Sequence, residues 1–223
     1  MLILTFHGHA CFTAEGDGKR VIFDPFLTGN PKADVPADRI AKLDGILLSH
    51  GHSDHIADAI PLAKRDGATI VAATELARYC ERQGVSAHGL GIGGRRSFPF
   101  GTVKLVHAIH GGAIEGGGIT TPSGVLLTLG GRTVYHAGDT ALTMEMQLLR
   151  GAADVMLVPI GDNFTMGVED AARAVGFVQP HVVIPMHYNT WDMIAADPEA
   201  FRRLVGDTAE VVILAPGESH TFS

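Results

Sequence analysis

Two similar successions of strands and helices follow one another along this chain of 223 residues. The first opens with short β-rich runs at Leu2–Phe6, Cys11–Ala14 and Arg20–Asp24, and the second with strands at Gly124–Leu129 and Thr133–Ala137. Helices and strands then alternate after each opening. Because each sheet must bury an apolar face, this pattern predicts two sheets packed face to face, with helices outside.

Hydrophobic periodicity and helix-end signals predict the elements that follow the openings. In the first half they are strand Gly45–Ser49, a helix from about Ile56 to Lys64, strand Thr69–Ala72, a helix over Glu75–Gln83 and strand Thr102–Ile109. In the second half they are a helix near Met144–Arg150, strand Val155–Pro159, a helix near Val168–Phe177, strand Val182–Pro185, a helix capped by Asp197 and strand Val211–Leu214. The glycine-dense segment Gly111–Gly118 predicts a mobile loop within one domain spanning residues 1–223.

Composition limits the possible partners. The formal net charge is −7 and Lys and Arg form no run longer than a pair, which argues against a nucleic-acid or membrane partner. The N-terminus lacks a basic segment and His7 interrupts its apolar residues, so we expect neither a signal peptide nor a membrane span. The two cysteines, Cys11 and Cys80, are expected to be free buried thiols, and the protein to be cytoplasmic.

The run His50-Gly51-His52-Ser53-Asp54-His55 directly follows the predicted strand Gly45–Ser49. Alternate side chains of extended backbone point the same way, so His50 and His52 can bind one ion. Asp54 and His55 begin the next helix and can face a second ion. Imidazole and carboxylate ligands without cysteine suit zinc, manganese, iron or nickel.

This motif resembles the signature of the metallo-β-lactamase superfamily, HxHxDH followed by a His, an Asp and a His at the ends of later strands. The matching later positions are His110, Asp139 and His187. The resemblance implies an α+β fold, a four-layer αββα sandwich that holds two divalent metal ions. It further implies that the first ion binds His50, His52 and His110, that the second binds Asp54, His55 and His187, and that Asp139 bridges them.

The chain also resembles small single-domain metal-dependent hydrolases of bacteria and archaea within that superfamily. The shared segments are HGHACF at His7–Phe12, DPFLTGNP at Asp24–Pro31, HAGDT at His136–Thr140, PIGDNFTMG at Pro159–Gly167 and HYNT at His187–Thr190. A more distant similarity to ascorbate-6-phosphate lactonase implies a small phosphorylated or lactone substrate.

Several other polar residues are candidates for the site. His107 competes with His110 for the third ligand position of the first ion, and the pattern of these hydrolases favours His110. The same pattern carries a histidine at His9, which is expected either to contact the substrate or to have only a structural role. Asn163, Thr165 and Asn189 follow strands that end near the predicted site, where they could orient a substrate or only cap a helix. Thr165 is also a possible cap of the helix that begins near Gly167.

The resemblance implies hydrolysis of an ester, lactone, amide or phosphodiester in a small molecule by a metal-bound hydroxide. Asp54 or Asp139 could accept the proton of the attacking water. Alternatives are a metal-stabilised binding protein without turnover, di-iron redox chemistry and nuclease activity. The di-iron relatives carry an acid at the position of His52, and the acidic charge disfavours a nuclease. The sequence leaves the substrate, the native metal and the oligomeric state open.

Overall fold

The computed structural model describes residues 1–223 and contains sixteen strands. In chain order they are β1 (Leu2–Phe6), β2 (Phe12–Gly16), β3 (Lys19–Phe23), β4 (Gly45–Leu47), β5 (Thr69–Ala73), β6 (Ala87–Leu90), β7 (Arg95–Phe98), β8 (Gly101–His107), β9 (Ala113–Ile114), β10 (Gly118–Ile119), β11 (Ser123–Leu129), β12 (Arg132–His136), β13 (Val155–Pro159), β14 (Val182–Met186), β15 (Glu210–Val211) and β16 (Ser219–Phe222).

Fourteen of the strands form two mixed sheets of seven strands each. The first sheet has the order β16-β1-β2-β3-β4-β5-β6, and the second has the order β15-β14-β13-β12-β11-β8-β7. Each sheet is antiparallel in one part and parallel in the other: pairing is parallel from β3 to β6 in the first sheet and from β12 to β15 in the second. Two similar sheets are thus formed, as the repeated pattern predicts, but β8, which was expected in the first half, lies in the second sheet and the C-terminal β16 joins the first.

Five α-helices complete the chain: α1 (Ser53–Ile56), α2 (Ala59–Asp66), α3 (Thr74–Arg82), α4 (Val168–Val178) and α5 (Pro198–Val205). Alternation along the strands separates three apolar layers. On β4, for example, Leu47 packs between the sheets whereas its neighbour Ile46 packs with residues of α2 and α3. On the other sheet, Met156 of β13 packs with residues of α4 and α5. The α+β four-layer αββα sandwich is thus confirmed.

The elements that sequence reasoning missed or misplaced lie mostly at sheet edges. The outermost strands are β6, β7, β15 and β16; β6, β7 and β16 were not expected, and β15 covers only Glu210–Val211. An edge strand is paired on one side only and its exposed residues lack a clear apolar alternation. The four residues of β7, Arg95–Phe98, include none that is fully buried.

Three further expectations are corrected by the structure. The predicted helix over 56–64 is divided into α1 and α2 at Asp58, whose buried carboxylate accepts hydrogen bonds from the backbone of Leu27 and Thr28. The segment Met144–Leu149 is a 3-10 helix. The glycine-dense segment forms the small hairpin β9–β10, in which the Thr120 hydroxyl donates to the Gly112 carbonyl.

Cys11 and Cys80 are free and buried, as expected. No helix of the structure is both long and apolar enough to cross a membrane.

Candidate metal centre

The seven predicted ligands meet where strands of both sheets end. His50 and His52 follow β4, and Asp54 and His55 lie in α1, whose first residue comes directly after His52. The other three follow strands of the second sheet: His110 after β8, Asp139 after β12 and His187 after β14. Neighbouring parallel strands have their carboxyl ends at the same edge of a sheet. Because the two sheets pack face to face, these two edges lie next to each other.

The first cluster consists of His50, His52 and His110. One ligand nitrogen from each lies within 4.8 Å of the others, and His50 Nε2 is 2.9 Å from His52 Nδ1. The His50 side chain is fully buried, whereas that of His110 is partly exposed. Three imidazoles at this spacing can share one ion and leave a coordination position open on the exposed side.

The second cluster consists of Asp54, His55 and His187, together with His9. Their ligand atoms also lie within 4.8 Å of one another. The Asp54 Oδ2 atom is 4.0 Å from the Nε2 atoms of both His55 and His187, and 3.1 Å from that of His9. Carboxylate and imidazole groups at these separations can surround a second ion.

The Asp139 carboxylate lies between the two clusters. Its Oδ2 atom is 3.4 Å from His110 Nε2 and 3.1 Å from His187 Nε2, while its Oδ1 atom is 3.4 Å from His55 Nε2. Gly138 permits this approach because it has φ +64, and a Cβ atom there would lie 2.7 Å from the Cβ of Ser49. One carboxylate therefore contacts members of both clusters.

Three atoms facing this space are buried without a hydrogen-bond partner: His55 Nε2, His187 Nε2 and Asp139 Oδ1. Buried polar atoms are nearly always paired, since an unpaired one costs about 1–3 kcal/mol. Their unpaired lone pairs fit the donor set that divalent cations prefer. The residues present therefore suit a metal centre.

Both acids of the centre are held in their anionic form. Burial alone would raise the pKa of Asp139, but the imidazoles of His187 and His55 outweigh burial and hold that pKa well below its usual range. For Asp54, the His9 hydrogen bond and the nearby His55 likewise outweigh burial and lower the pKa. Two carboxylates are therefore available to neutralise bound cations.

Comparison with known proteins identifies the family. Residues 19–188 match the model of the β-lactamase superfamily domain. A metal-dependent hydrolase of the UPF0173 family from Heliobacterium modesticaldum is 48% identical over 235 residues, which cover 100% of this chain and 98% of the relative. A UPF0173 metal-dependent hydrolase from Desulforamulus reducens is 51% identical over 224 residues, which cover 96% of this chain and 97% of the relative. The chain belongs to the UPF0173 family of metal-dependent hydrolases.

A solved structure supports the same conclusion. Igni18, described as a novel metallo hydrolase from the hyperthermophilic archaeon Ignicoccus hospitalis, superposes with a TM-score of 0.91 and is 35% identical, covering 100% of this chain and 98% of its own. The predicted membership of the metallo-β-lactamase superfamily and the predicted enzyme class are thereby confirmed.

Asp24 is a buried acid of this UPF0173 chain that sequence reasoning did not assign to the site. Its carboxylate accepts hydrogen bonds from the Ser49 backbone and hydroxyl, at 2.8 and 2.5 Å, and from His55 Nδ1 at 2.8 Å. Burial would raise its pKa, but His55 outweighs that effect and lowers it. Asp24 directly follows β3, which pairs in parallel with β4, the strand before His50. This position at a strand end was the feature of the sequence that could have assigned Asp24 to the site.

An ionised Asp24 fixes the proton positions of two histidines. Because the carboxylate can only accept, His55 Nδ1 carries a proton, and in the neutral ring that binds a metal the Nε2 lone pair faces the second cluster. The Ser49 hydroxyl donates to Asp24, so it accepts from His50 Nδ1 at 2.9 Å, which leaves the Nε2 lone pair of His50 facing the first cluster. Asp24 thus orients one histidine of each cluster.

The Asp24→Asn variant is expected to bind metal about tenfold more weakly at both clusters, the lower end of the range for losing a partner that orients a ligand. Competition with a chromophoric chelator measures the affinity. Asp44→Asn, which alters a half-exposed ion pair with Lys19 away from the centre, is the matched control. Unchanged affinity in Asp24→Asn would contradict the orienting role.

The structure distinguishes between His107 and His110, the two candidates for the third ligand of the first ion. His107 is the last residue of β8 and its side chain is exposed, whereas His110 approaches Asp139. His136 has a structural position, because its ring stacks on Phe23 and its Nε2 is 2.8 Å from the carbonyl of Ala10.

His9 lies inside the second cluster. Its side chain is fully buried, with Nε2 at 3.1 Å from Asp54 and Nδ1 at 2.8 Å from the Thr190 hydroxyl. Burial lowers the pKa of His9 to about 4, so the ring is neutral at pH 7. Since the Asp54 carboxylate can only accept, His9 Nε2–H donates to it and the Thr190 hydroxyl donates to His9.

The three remaining candidates lie on loops beside the centre. Asn189 is engaged by its own loop, since its side-chain amide exchanges hydrogen bonds with the backbone of Ala196. Thr165 does not cap α4, because no side chain caps that helix and the Thr165 hydroxyl donates to the Met166 carbonyl. Asn163 is exposed on the loop after β13.

Proposed function

We propose that this metal-dependent hydrolase holds two divalent ions and cleaves an ester, lactone, amide or phosphodiester bond in a small molecule. His50, His52 and His110 would hold the first ion, and Asp54, His55 and His187 the second, with Asp139 shared between them. The observation that carries the proposal is the Asp139 carboxylate, which reaches both clusters and has an unpaired buried oxygen. Zinc, manganese, nickel and iron all suit these ligands.

When bound, two such ions lower the pKa of coordinated water toward 7 and polarise the bond to be cleaved. The residues of the chain then position and protonate the reactants. The Asp54 side chain is 25% exposed and that of Asp139 only 3%, so Asp54 is the carboxylate that can take a proton from the substrate side. His9, itself fixed by Thr190, holds Asp54 in one orientation as a positioning residue.

No protein nucleophile is required by this proposal. Burial raises the pKa of the Cys80 thiol to about 12 and that of Cys11 well above its ordinary value, so neither supplies a thiolate at neutral pH. The two free thiols and the acidic net charge support a cytoplasmic setting and a small-molecule substrate, without a nucleic-acid or membrane partner. Asn163 is a candidate substrate contact.

The proposed activity is tested by removing the metal with a chelator and restoring Zn, Mn, Ni or Fe(II) in turn. A panel of p-nitrophenyl esters, lactones, amides and bis(p-nitrophenyl) phosphate measures turnover, with a β-lactam as negative control. We expect turnover of at least one substrate class to disappear on chelation and to return with at least one metal. Turnover unaffected by chelation contradicts the proposal, and metal binding without turnover of any class favours a binding protein.

A further inference from the structure

Large apolar side chains are exposed mainly on the loops around the candidate centre. Ten large hydrophobic residues of the chain are exposed, and seven of them lie in the segments that follow β8, β12, β13 and β14 or in the hairpin β9–β10. These seven residues, which we call the apolar rim, are Ile109, Ile119, Met144, Leu148, Phe164, Trp191 and Met193. Scattered exposed apolar residues are ordinary, but a concentration beside a polar centre indicates a binding surface.

The rim is connected to the centre by direct contacts. The Trp191 ring lies 5.1 Å from the His9 ring and 6.1 Å from that of Phe26. Ile109 directly precedes His110, and its backbone N–H donates to the hydroxyl of Thr140, the residue after Asp139. A group held at the metal centre therefore lies within reach of apolar side chains.

The loop that carries Phe164 is packed equally closely on the centre. A Cβ atom on Gly161 would lie 2.2 Å from the His187 carbonyl oxygen, so the two backbones are in contact there. The Met166 backbone N–H donates to the Thr140 carbonyl at 3.0 Å. These two contacts hold the loop at Gly161, before Phe164, and at Met166, after it.

The same loops lack positive charge. Residues 109–121, 138–148, 160–167 and 187–197 contain no Lys or Arg, and apart from Asp139 they carry the acids Glu115, Glu145, Asp162, Asp192 and Asp197. On the first sheet, the long loop between β3 and β4 carries Lys32, Arg39 and Lys42, and the Lys32 carbonyl oxygen would lie 2.7 Å from a Cβ atom on Gly8. Phosphate groups are bound in proteins by Arg, Lys or backbone clusters, and carboxylates repel them.

We propose, on the basis of the function proposed above, that the substrate is an uncharged ester or lactone with an apolar acyl chain. The scissile carbonyl would lie at the two clusters, and the acyl chain would lie on the apolar rim. Since the rim offers no cation to a phosphate substituent, the phosphorylated substrate implied by the distant lactonase resemblance is disfavoured.

Trp191 is the only tryptophan of the chain and reports directly on this surface. The test titrates the zinc-reconstituted enzyme with n-alkyl hydroxamates from acetyl to octanoyl and follows the Trp191 fluorescence. Each methylene buried on the rim is expected to raise affinity up to about fourfold, which corresponds to ~0.8 kcal/mol. Phe164→Ala and Met193→Ala should weaken octanoyl binding about tenfold while leaving acetyl binding unchanged. Leu204→Ala, an exposed apolar residue of α5, is the control and should change neither.

Equal affinity for all chain lengths, or tighter binding of phenyl phosphate than of the hexanoyl probe, would overturn the proposal. So would vesicle binding or self-association that Phe164→Ala abolishes while octanoyl affinity stays unchanged, because the rim would then serve a membrane or a second copy. An enzyme that takes up neither zinc nor manganese, nickel or iron, and binds no hydroxamate of any length, would instead overturn the proposed function itself.

Discussion

The Asp139→Asn variant is expected to lose the ion of the second cluster first and to hydrolyse any substrate of the enzyme more than about 100-fold more slowly. Asparagine keeps the size of the side chain but removes the negative charge that lies between the two clusters. Loss of a residue that hydrogen-bonds to a metal ligand typically costs 10–100-fold in metal affinity or activity, and loss of a ligand shared by two ions should exceed that range. Metal content by mass spectrometry and turnover of the same preparation measure both effects.

Asp154→Asn is a suitable control for this variant. Asp154 accepts hydrogen bonds from the Thr133 backbone and the Arg132 side chain, on the second sheet and away from the ligands. The Asp154→Asn variant should therefore retain both ions. If Asp139 instead capped a helix, its carboxylate would accept hydrogen bonds from backbone N–H groups, but its Oδ1 atom has no hydrogen-bond partner in the protein. An Asp139→Asn variant with both metals and full turnover would show that the bridging assignment is wrong.

The His110→Ala variant is expected to lose the ion of the first cluster and more than about 100-fold of the hydrolytic activity, whereas His107→Ala keeps both. The two histidines are three residues apart, but the strand ends between them. His107 is exposed at the end of β8, while the Nε2 atom of His110 lies 3.4 Å from Asp139. Metal content of the two variants, measured side by side, separates the roles.

His107→Ala serves as the matched control, because it removes the same side chain from the same segment. Thermal unfolding of both variants checks that the second sheet is intact. Equal metal loss in the two, or loss only in His107→Ala, would transfer the third ligand position of the first ion to His107.

The repeated pattern was sufficient to predict the layers of this fold because the inner strands are buried on both faces. Ile46 and Leu47, adjacent on β4, are both fully buried although they face different layers. The edge strands β6 and β7 escaped prediction because their residues are paired and packed on one side only. The division between α1 and α2 depends on the contact of Asp58 with a loop some thirty residues earlier, which local periodicity cannot contain.

At the centre, HxHxDH identified four residues from local spacing, and the family resemblance supplied the three that lie far apart in sequence. The hydrogen bonds around them depend on tertiary structure. Asp24 is 31 residues from His55 in sequence, and His9 is 181 residues from Thr190. In the structure, His55 Nδ1 nevertheless lies 2.8 Å from the Asp24 carboxylate, and His9 Nδ1 lies 2.8 Å from the Thr190 hydroxyl. The position of Asp24 after a strand was a signal that sequence reasoning did not use, and the local sequence around His9 could not identify Asp54 and Thr190 as its partners. Asn189 has the residue type of a substrate contact, but the backbone of its own loop engages it.

Metal stoichiometry decides whether one protein chain holds two metal ions. The protein should be purified without chelator, reconstituted separately with Zn, Mn, Ni and Fe(II), and measured by mass spectrometry after removal of free ion. We expect close to two equivalents for at least one metal, falling toward one in Asp139→Asn. Less than about 0.2 equivalents with every one of the four metals would contradict it, because six terminal ligands and one bridging carboxylate would then bind no metal at all.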